Sequence, residues 1–318
     1  MINAYASPEA GRVLSEELGG FFGGVLSAVQ SSSSEVTTEQ SAFHSSGVGV
    51  GTADDPFTQA LSGFKGGAAT LRFTGNGVEL AVAGDGSSRQ LADLTGTTGG
   101  ELVRRLPDDT AAAAGISLPK GWLTRQVDSL SLLFGGGLSG DELYRQISRE
   151  TGLDAPDDIE TLLGSGFSLS VGNNLDLAEL EYTDDGVGVP IAATVKGDPG
   201  AIGPILDKLR ARAGGLPVLE SDSAGDLAVI GPTADYRRHV LDGGSLGDDD
   251  TFTSVVPDAE HASMVLFVDV DAFEPALQKL ASGDGSGDIE NLLPLRAVGL
   301  STWTDDGVAR FSVKLTTN

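Results

Sequence analysis

The sequence predicts an α+β protein with antiparallel sheets, helices packed on one face, and duplicated helix–strand–hairpin–strand units. Three observations carry this. A phrase of aromatic, Thr, any residue, Asn or Asp, Gly and Val occurs at 73–78, 182–187 and 303–308. A second phrase, Asp-Ile-Glu-x-Leu-Leu, occurs at 158–163 and 288–293, ahead of the last two copies of the first. The chain of 318 residues is 40% hydrophobic, ample for a core, and its 45 glycines follow no collagen period and suit a fold with many tight turns.

Ser7-Pro8-Glu9 has the order of a helix start, with a capping hydroxyl, a proline suited to the first turn and an early acid. The helix is expected to run to about Gln30, and Ser31–Ser34 begins a linker. Phe43–Gly51 alternates weakly, as a glycine-rich strand would. Asp55-Pro56-Phe57 to Leu61 resembles a degenerate copy of the second phrase.

In each hairpin phrase, Asn-Gly or Asp-Gly is expected to fill a two-residue type I′ turn. Gly77, Gly186 and Gly307 would then take positive φ, and the leading aromatics Phe73, Tyr182 and Trp303 would lie on corresponding sheet faces. Strands flank each turn, over 69–74 and 78–83, 178–183 and 187–195, and 297–304 and 308–315. Asp158 and Asp288 are expected to cap short helices whose paired leucines turn inward.

A third phrase links units. Leu106-Pro107-Asp108-Asp109-Thr110 and Val256-Pro257-Asp258-Ala259-Glu260 each lead into an apolar run, ending near Leu118 and Val270. Helices are predicted over 141–151, 198–212, 234–241 and 273–281, and strands over 165–171, 226–230 and 264–270. In the second of those helices, Ile202, Ile205, Leu206 and Leu209 share a face. The domain division that follows is residues 1–40 as helix and linker, 41–150 as a first α+β unit, and 151–318 as a second region with two further hairpin units.

The formal net charge of −26 disfavours nucleic acid and anionic membrane surfaces. Cysteine is absent, which excludes disulfides, thiol catalysis and iron–sulfur clusters. The apolar stretch Leu18–Val29 is too short and too glycine-broken to span a bilayer, and no basic segment precedes it. An exported protein would therefore carry its targeting segment outside this chain.

Residues with chemical potential lack the spacing that chemistry needs. His44, His239 and His261 form no metal-binding pattern, and His239 falls near a helix C-terminus, where a cation is favoured. Gly164-Ser165-Gly166 enters a strand instead of forming a nucleophile elbow, and Gly285-Ser286-Gly287 lies in a polar loop. Gly135–Gly137, Gly243-Gly244 and Gly47–Gly51 lack the marks of a phosphate loop. Asp284–Glu290 begins like a calcium loop but has Ile289 where glycine belongs and Leu295 where glutamate belongs. Asp248–Asp250 reads as a solvated loop, Asp269 and Asp271 flank a strand end, and Trp122 and Trp303 suit core packing. No catalytic residue, cofactor or assigned metal site follows from the residues.

The Leu-Pro-Asp-Asp-Thr-Ala phrase, the Asp-Ile-Glu-x-Leu-Leu helices, the Asp-Asp-Gly hairpins and the Pro-Asp phrase before Phe267-Val268-Asp269 resemble an uncharacterised actinobacterial family. Its members are membrane-anchored, with a large extracytoplasmic domain. The resemblance covers about residues 40–318 and implies an outer domain, whose membrane link would be a missing N-terminal anchor. It brings no catalytic residue. Three functional expectations follow: an envelope binding or scaffolding domain whose partner is an envelope protein, a carrier of lipid or another hydrophobic ligand, or a hydrolase using paired carboxylates.

Overall fold

The phrase at 303–308 folds as its stereochemistry demands. Asp306 and Gly307 form a two-residue turn with φ of 47° and 76°, and Asp305 pairs with Val308 across it. Left-handed backbone at both positions is what a type I′ hairpin requires, and Asp and Gly tolerate it well. The computed structural model describes residues 2–6, 67–85, 95–125, 127, 139–175, 188–214, 217–274 and 294–318.

The first hairpin differs from expectation. Thr74 pairs with Gly77, so the turn is Gly75-Asn76, one residue early. Gly77 begins the following strand and does not have positive φ. Glycine is required there by close approach, because a Cβ would lie 2.2 Å from the Leu315 carbonyl oxygen. The aromatics do not share a face either. Phe73 aligns through Val78 and Leu315 with Val298, whereas Trp303 stands five positions further along that strand. Side chains alternate, so Phe73 and Trp303 lie on opposite faces. The phrase at 182–187, the helix from Ser7, the strand at 43–51, the stretch 55–61, the copy at 288–293 and most of 273–281 lie outside the described residues.

The strands are β1 (Ile2–Ala6), β2 (Gly67–Thr74), β3 (Gly77–Asp85), β4 (Thr110–Ser117), β5 (Gly166–Gly172), β6 (Ile191–Lys196), β7 (Ser221–Ala224), β8 (Leu227–Ile230), β9 (Met264–Asp269), β10 (Leu295–Asp305) and β11 (Val308–Thr317). They form one antiparallel sheet in the order β1-β2-β3-β11-β10-β9-β4-β5-β6-β8-β7. Strands from both sides of residue 150 enter it, and β4 at its middle pairs with β5 and β9.

The helices are α1 (Thr98–Arg104), α2 (Gly140–Thr151), α3 (Asp157–Leu163), α4 (Pro199–Arg212), α5 (Ala234–Asp242) and α6 (Asp250–Val255). Local chemistry explains their starts. Ser139 and Glu142 form a reciprocal capping box on α2. The Asp198 side chain accepts from Gly200 N, with Pro199 opening α4. Asp249, expected in a solvated loop, caps α6 by accepting from Phe252 N at 2.9 Å. Asp158 does not cap α3. It lies inside the helix, where its carboxylate accepts from Asp154 N at 3.0 Å and Lys208 Nζ at 2.8 Å.

The main core lies on the sheet's first face, under α1, α5 and α6. Leu106, Val240, Leu246, Phe252, Val255, Val265 and Phe267 are its bulk, and the Phe252 and Phe267 rings meet edge-on at 5.2 Å. Two glycines let helices sit directly on strands. A Cβ at Gly115 would lie 2.4 Å from Gly99 O in α1, and one at Gly299 would lie 2.3 Å from Val255 O in α6. A smaller cluster occupies the opposite face, where Ile202 and Leu206 of α4 and Leu162 of α3 pack on Val195, Ala228 and Phe167.

Candidate functional site

The groups singled out in the sequence do not converge. His239 Nε2 lies 3.0 Å from Asp109 Oδ1, a pair about half exposed on both sides. His261 Nδ1 is 3.7 Å from Glu260. The Ser165 hydroxyl donates to Lys196 O at 3.1 Å, which ties the turn before β5 to β6. Asp269 ends β9. Its carboxyl titrates above the ordinary range because it is partly buried and because Asp271 and Asp249 add negative charge. Burial pushes the Tyr236 hydroxyl up to about 12, so it stays protonated and can donate. Among the described residues, no group of three His, Asp or Glu side chains is placed to hold a metal ion. The loops at 135–137 and 284–290 lie outside the described residues.

A shallow groove of mixed polarity runs along α2, lined by Glu142, Tyr144, Arg145, Gln146, Arg149 and Ala155.

The sheet's second face has the more unusual composition. Cross-strand partners share a face, so the registers trace side-chain rows across the sheet. One row runs Leu71, Leu80, Val313, Leu300, Leu266, Ala114, Leu169, Ala193 and Ile230, apolar at every strand from β2 to β8. The row on one side is Phe73, Val78, Leu315, Val298, Val268, Ala112, Val171 and Ile191, again wholly apolar. On the other side, Ala69, Val82, Phe311, Thr302, Met264, Ile116, Phe167, Val195 and Ala228 admit one hydroxyl. No charged residue stands in any of the three.

α3 and α4 cover these rows over β6 and β8. Over the middle of the sheet, Leu169 on β5 is 46% exposed and Leu266 on β9 is 40% exposed, and Phe73 at the far end is 63% exposed. An isolated exposed leucine is ordinary, but exposed leucines within a continuous uncharged apolar field mark a surface built for contact.

Sequence reasoning found most of the strands, though not β1 or β7, and missed this face. The signal was present but weak. β10 alternates Ala297, Gly299 and Ser301 with Val298, Leu300 and Thr302, so neither set is charged and the period-2 contrast that reveals a half-buried strand is faint. Only the cross-strand registers align the rows.

Fold and site together define an α+β protein built on one wide antiparallel sheet, with one face packed under helices and the other bearing a partly exposed apolar field. No protein-family model, curated protein or solved structure matches the chain.

Proposed function

We propose that this chain is a non-enzymatic binding protein whose ligand is an apolar molecule held on the second face of the sheet. One observation carries the proposal: three adjacent rows without a charge, with Leu169 and Leu266 exposed at their centre. Leaving such a field in water is unfavourable, at roughly 25 cal/mol per Å² of apolar surface. A ligand that covers it recovers that free energy. This favours a hydrophobic-ligand carrier over a scaffold with a polar docking surface and over a hydrolase.

The role we infer is extracytoplasmic, at the cell envelope, in a protein held to the membrane by an N-terminal anchor. Support comes from the family resemblance, with which the lack of cysteine and the acidic composition are compatible. Among the described residues no helix is long and apolar enough to cross a membrane.

The test combines organic extraction of the purified protein, mass spectrometry of the extract, and titration with the uncharged probe Nile red. The expected result is a copurifying apolar molecule, and probe binding that is about tenfold weaker in Leu169→Asp and Leu266→Asp, since each would bury a carboxylate against the ligand. Circular dichroism checks that the variants fold. A folded wild-type protein that binds no probe, or aspartate variants that bind it equally well, would overturn the proposal.

A further inference from the structure

Three arginines meet where the end of α4 reaches α2. Arg145 Nε donates to Asp141 O at 3.3 Å, and Arg149 Nε donates to Arg145 O at 3.2 Å. Arg212, the last residue of α4, donates from Nη2 to Arg149 O at 2.7 Å. The three guanidinium groups are therefore anchored on the carbonyls of residues 141, 145 and 149. Those carbonyls follow one another at four-residue intervals along α2, a step of about 6 Å at the helical rise. The result is a ladder of three positive charges, and all three residues are exposed. It borders two adjoining shallow grooves that share Gln146 and Arg149.

Among the described residues, no carboxylate lies within 4.0 Å of these three guanidinium groups, whereas eight other arginines and lysines have one that close, Arg210 of α4 among them. Carboxylates are not scarce, with 46 acidic residues to 20 basic ones in the chain. The two acids that line the grooves are engaged by other donors. Glu142 accepts from Ser139 N and Oγ in the capping box, and Glu150 accepts from Gln146 Nε2 at 3.0 Å. Three arginines against two engaged glutamates leave this strip cationic on a chain of net charge −26. At physiological salt, charges beyond about 8 Å are largely screened, so a ligand seated here responds to the strip and little to the chain total.

We infer that the ladder is a docking strip for an acidic helix of a partner protein, with carboxylates at i, i+4 and i+8. A second helix has the same step of about 6 Å, so its carboxylates keep register with the guanidinium groups when the two axes run side by side. With Nε committed to the backbone, Arg145 and Arg149 keep Nη1 and Nη2 for the partner. That paired donor fork matches the two oxygens of a carboxylate. The grooves are shallow, which suits an element laid on the surface; a small molecule needs deeper enclosure. The strip adds a protein partner to the ligand-binding function proposed above and does not depend on it.

The test titrates the full chain, by fluorescence anisotropy, into a short labelled helical peptide with three glutamates placed four residues apart. The control peptide has the same composition with its glutamates at consecutive positions, which spreads them around the helix. The expected result, at about 0.15 M salt, is binding of the registered peptide about tenfold tighter than the control, weakening as salt is raised. The double variant Arg145→Gln with Arg149→Gln should lose that preference and bind about tenfold more weakly, with Nile red binding unchanged. Circular dichroism checks its fold, and Arg149→Lys, which keeps the charge and loses the fork, provides a milder variant that should weaken binding several-fold. Equal binding of the two peptides, no binding of either, or a folded double variant that binds as wild type would overturn the inference. Citrate that displaces the peptide at equal concentration would identify a small-anion site and overturn it as well. Each of these outcomes leaves the apolar-ligand function standing, because Nile red reports that function separately.

Discussion

Two Gly→Ala substitutions should change stability in opposite directions. Gly299 lies on the first face of β10, directly beneath α6. A methyl there would stand 2.3 Å from Val255 O, 2.6 Å from Val255 C and 2.9 Å from its Cβ. Ordinary contact begins near 3.4 Å, so α6 must retreat by about 1 Å. The helix cannot do so freely, since Val255 and Phe252 are fully buried and Phe252 packs on Phe267. Overpacking against a backbone of this kind costs about 1–3 kcal/mol. Gly203 sits inside α4, where an added methyl would meet nothing within 4 Å and φ is not positive. There alanine should stabilise the protein by up to about 1 kcal/mol, because it loses less backbone freedom on forming helix. Urea unfolding followed by circular dichroism should place the two midpoints on either side of wild type, with an unchanged slope. A Gly299→Ala protein as stable as wild type, or a destabilised Gly203→Ala, would refute the packing argument.

Ser168 and Thr194 are direct cross-strand partners on the first face, and both hydroxyls are buried without a hydrogen-bond partner. Thr194→Val should therefore raise stability, by about 1 kcal/mol, as an unsatisfied group is replaced by one of the same shape; a clear loss in thermal or urea melts would mean that the hydroxyl is bonded after all. Asp269 titrates above its ordinary value, so the folded protein binds this proton more tightly than the unfolded chain does. Its carboxyl thus detracts from stability increasingly as pH rises from the unfolded pKa through the folded one. Asp269→Asn should stabilise the protein at pH 7 and lose that advantage in acid, and a benefit that is independent of pH would contradict the assignment to charge. Self-repulsion at a net charge of −26 predicts a melting temperature that rises with moderate sodium chloride, and a flat or falling trend would show that local ion pairs already balance the charge.

Local stereochemistry was legible from the residues alone. Asp306-Gly307 needed no partner to announce a type I′ turn, since few residues accept left-handed backbone twice in succession. Asp198-Pro199 likewise marked the start of α4, and its Ile202, Ile205 and Leu206 are buried as their spacing implied. Absence of cysteine and the excess of acid bounded the chemistry before any tertiary contact was known.

What required the tertiary structure was anything set by a neighbour distant in sequence. Gly75-Asn76 forms the first turn although Asn76-Gly77 was the stronger local signal, because Gly77 must pass beneath the carbonyl of Leu315, 238 positions along the chain. The register of β3 on β11, which pairs Val78 with Leu315, put Phe73 and Trp303 on opposite faces. Asp158 has the composition of a cap, yet its carboxylate is drawn to Lys208 of α4. The short β7–β8 hairpin, whose Gly225 carries a φ of 61°, was half legible, with β8 evident in the sequence and β7 not. The apolar face is the furthest case. Ala114 is an ordinary member of an alanine run until β9 and β5 set Leu266 and Leu169 beside it. A residue's identity sets its own backbone preference, and here only strand pairing, a contact between distant segments, decided which side chains became neighbours.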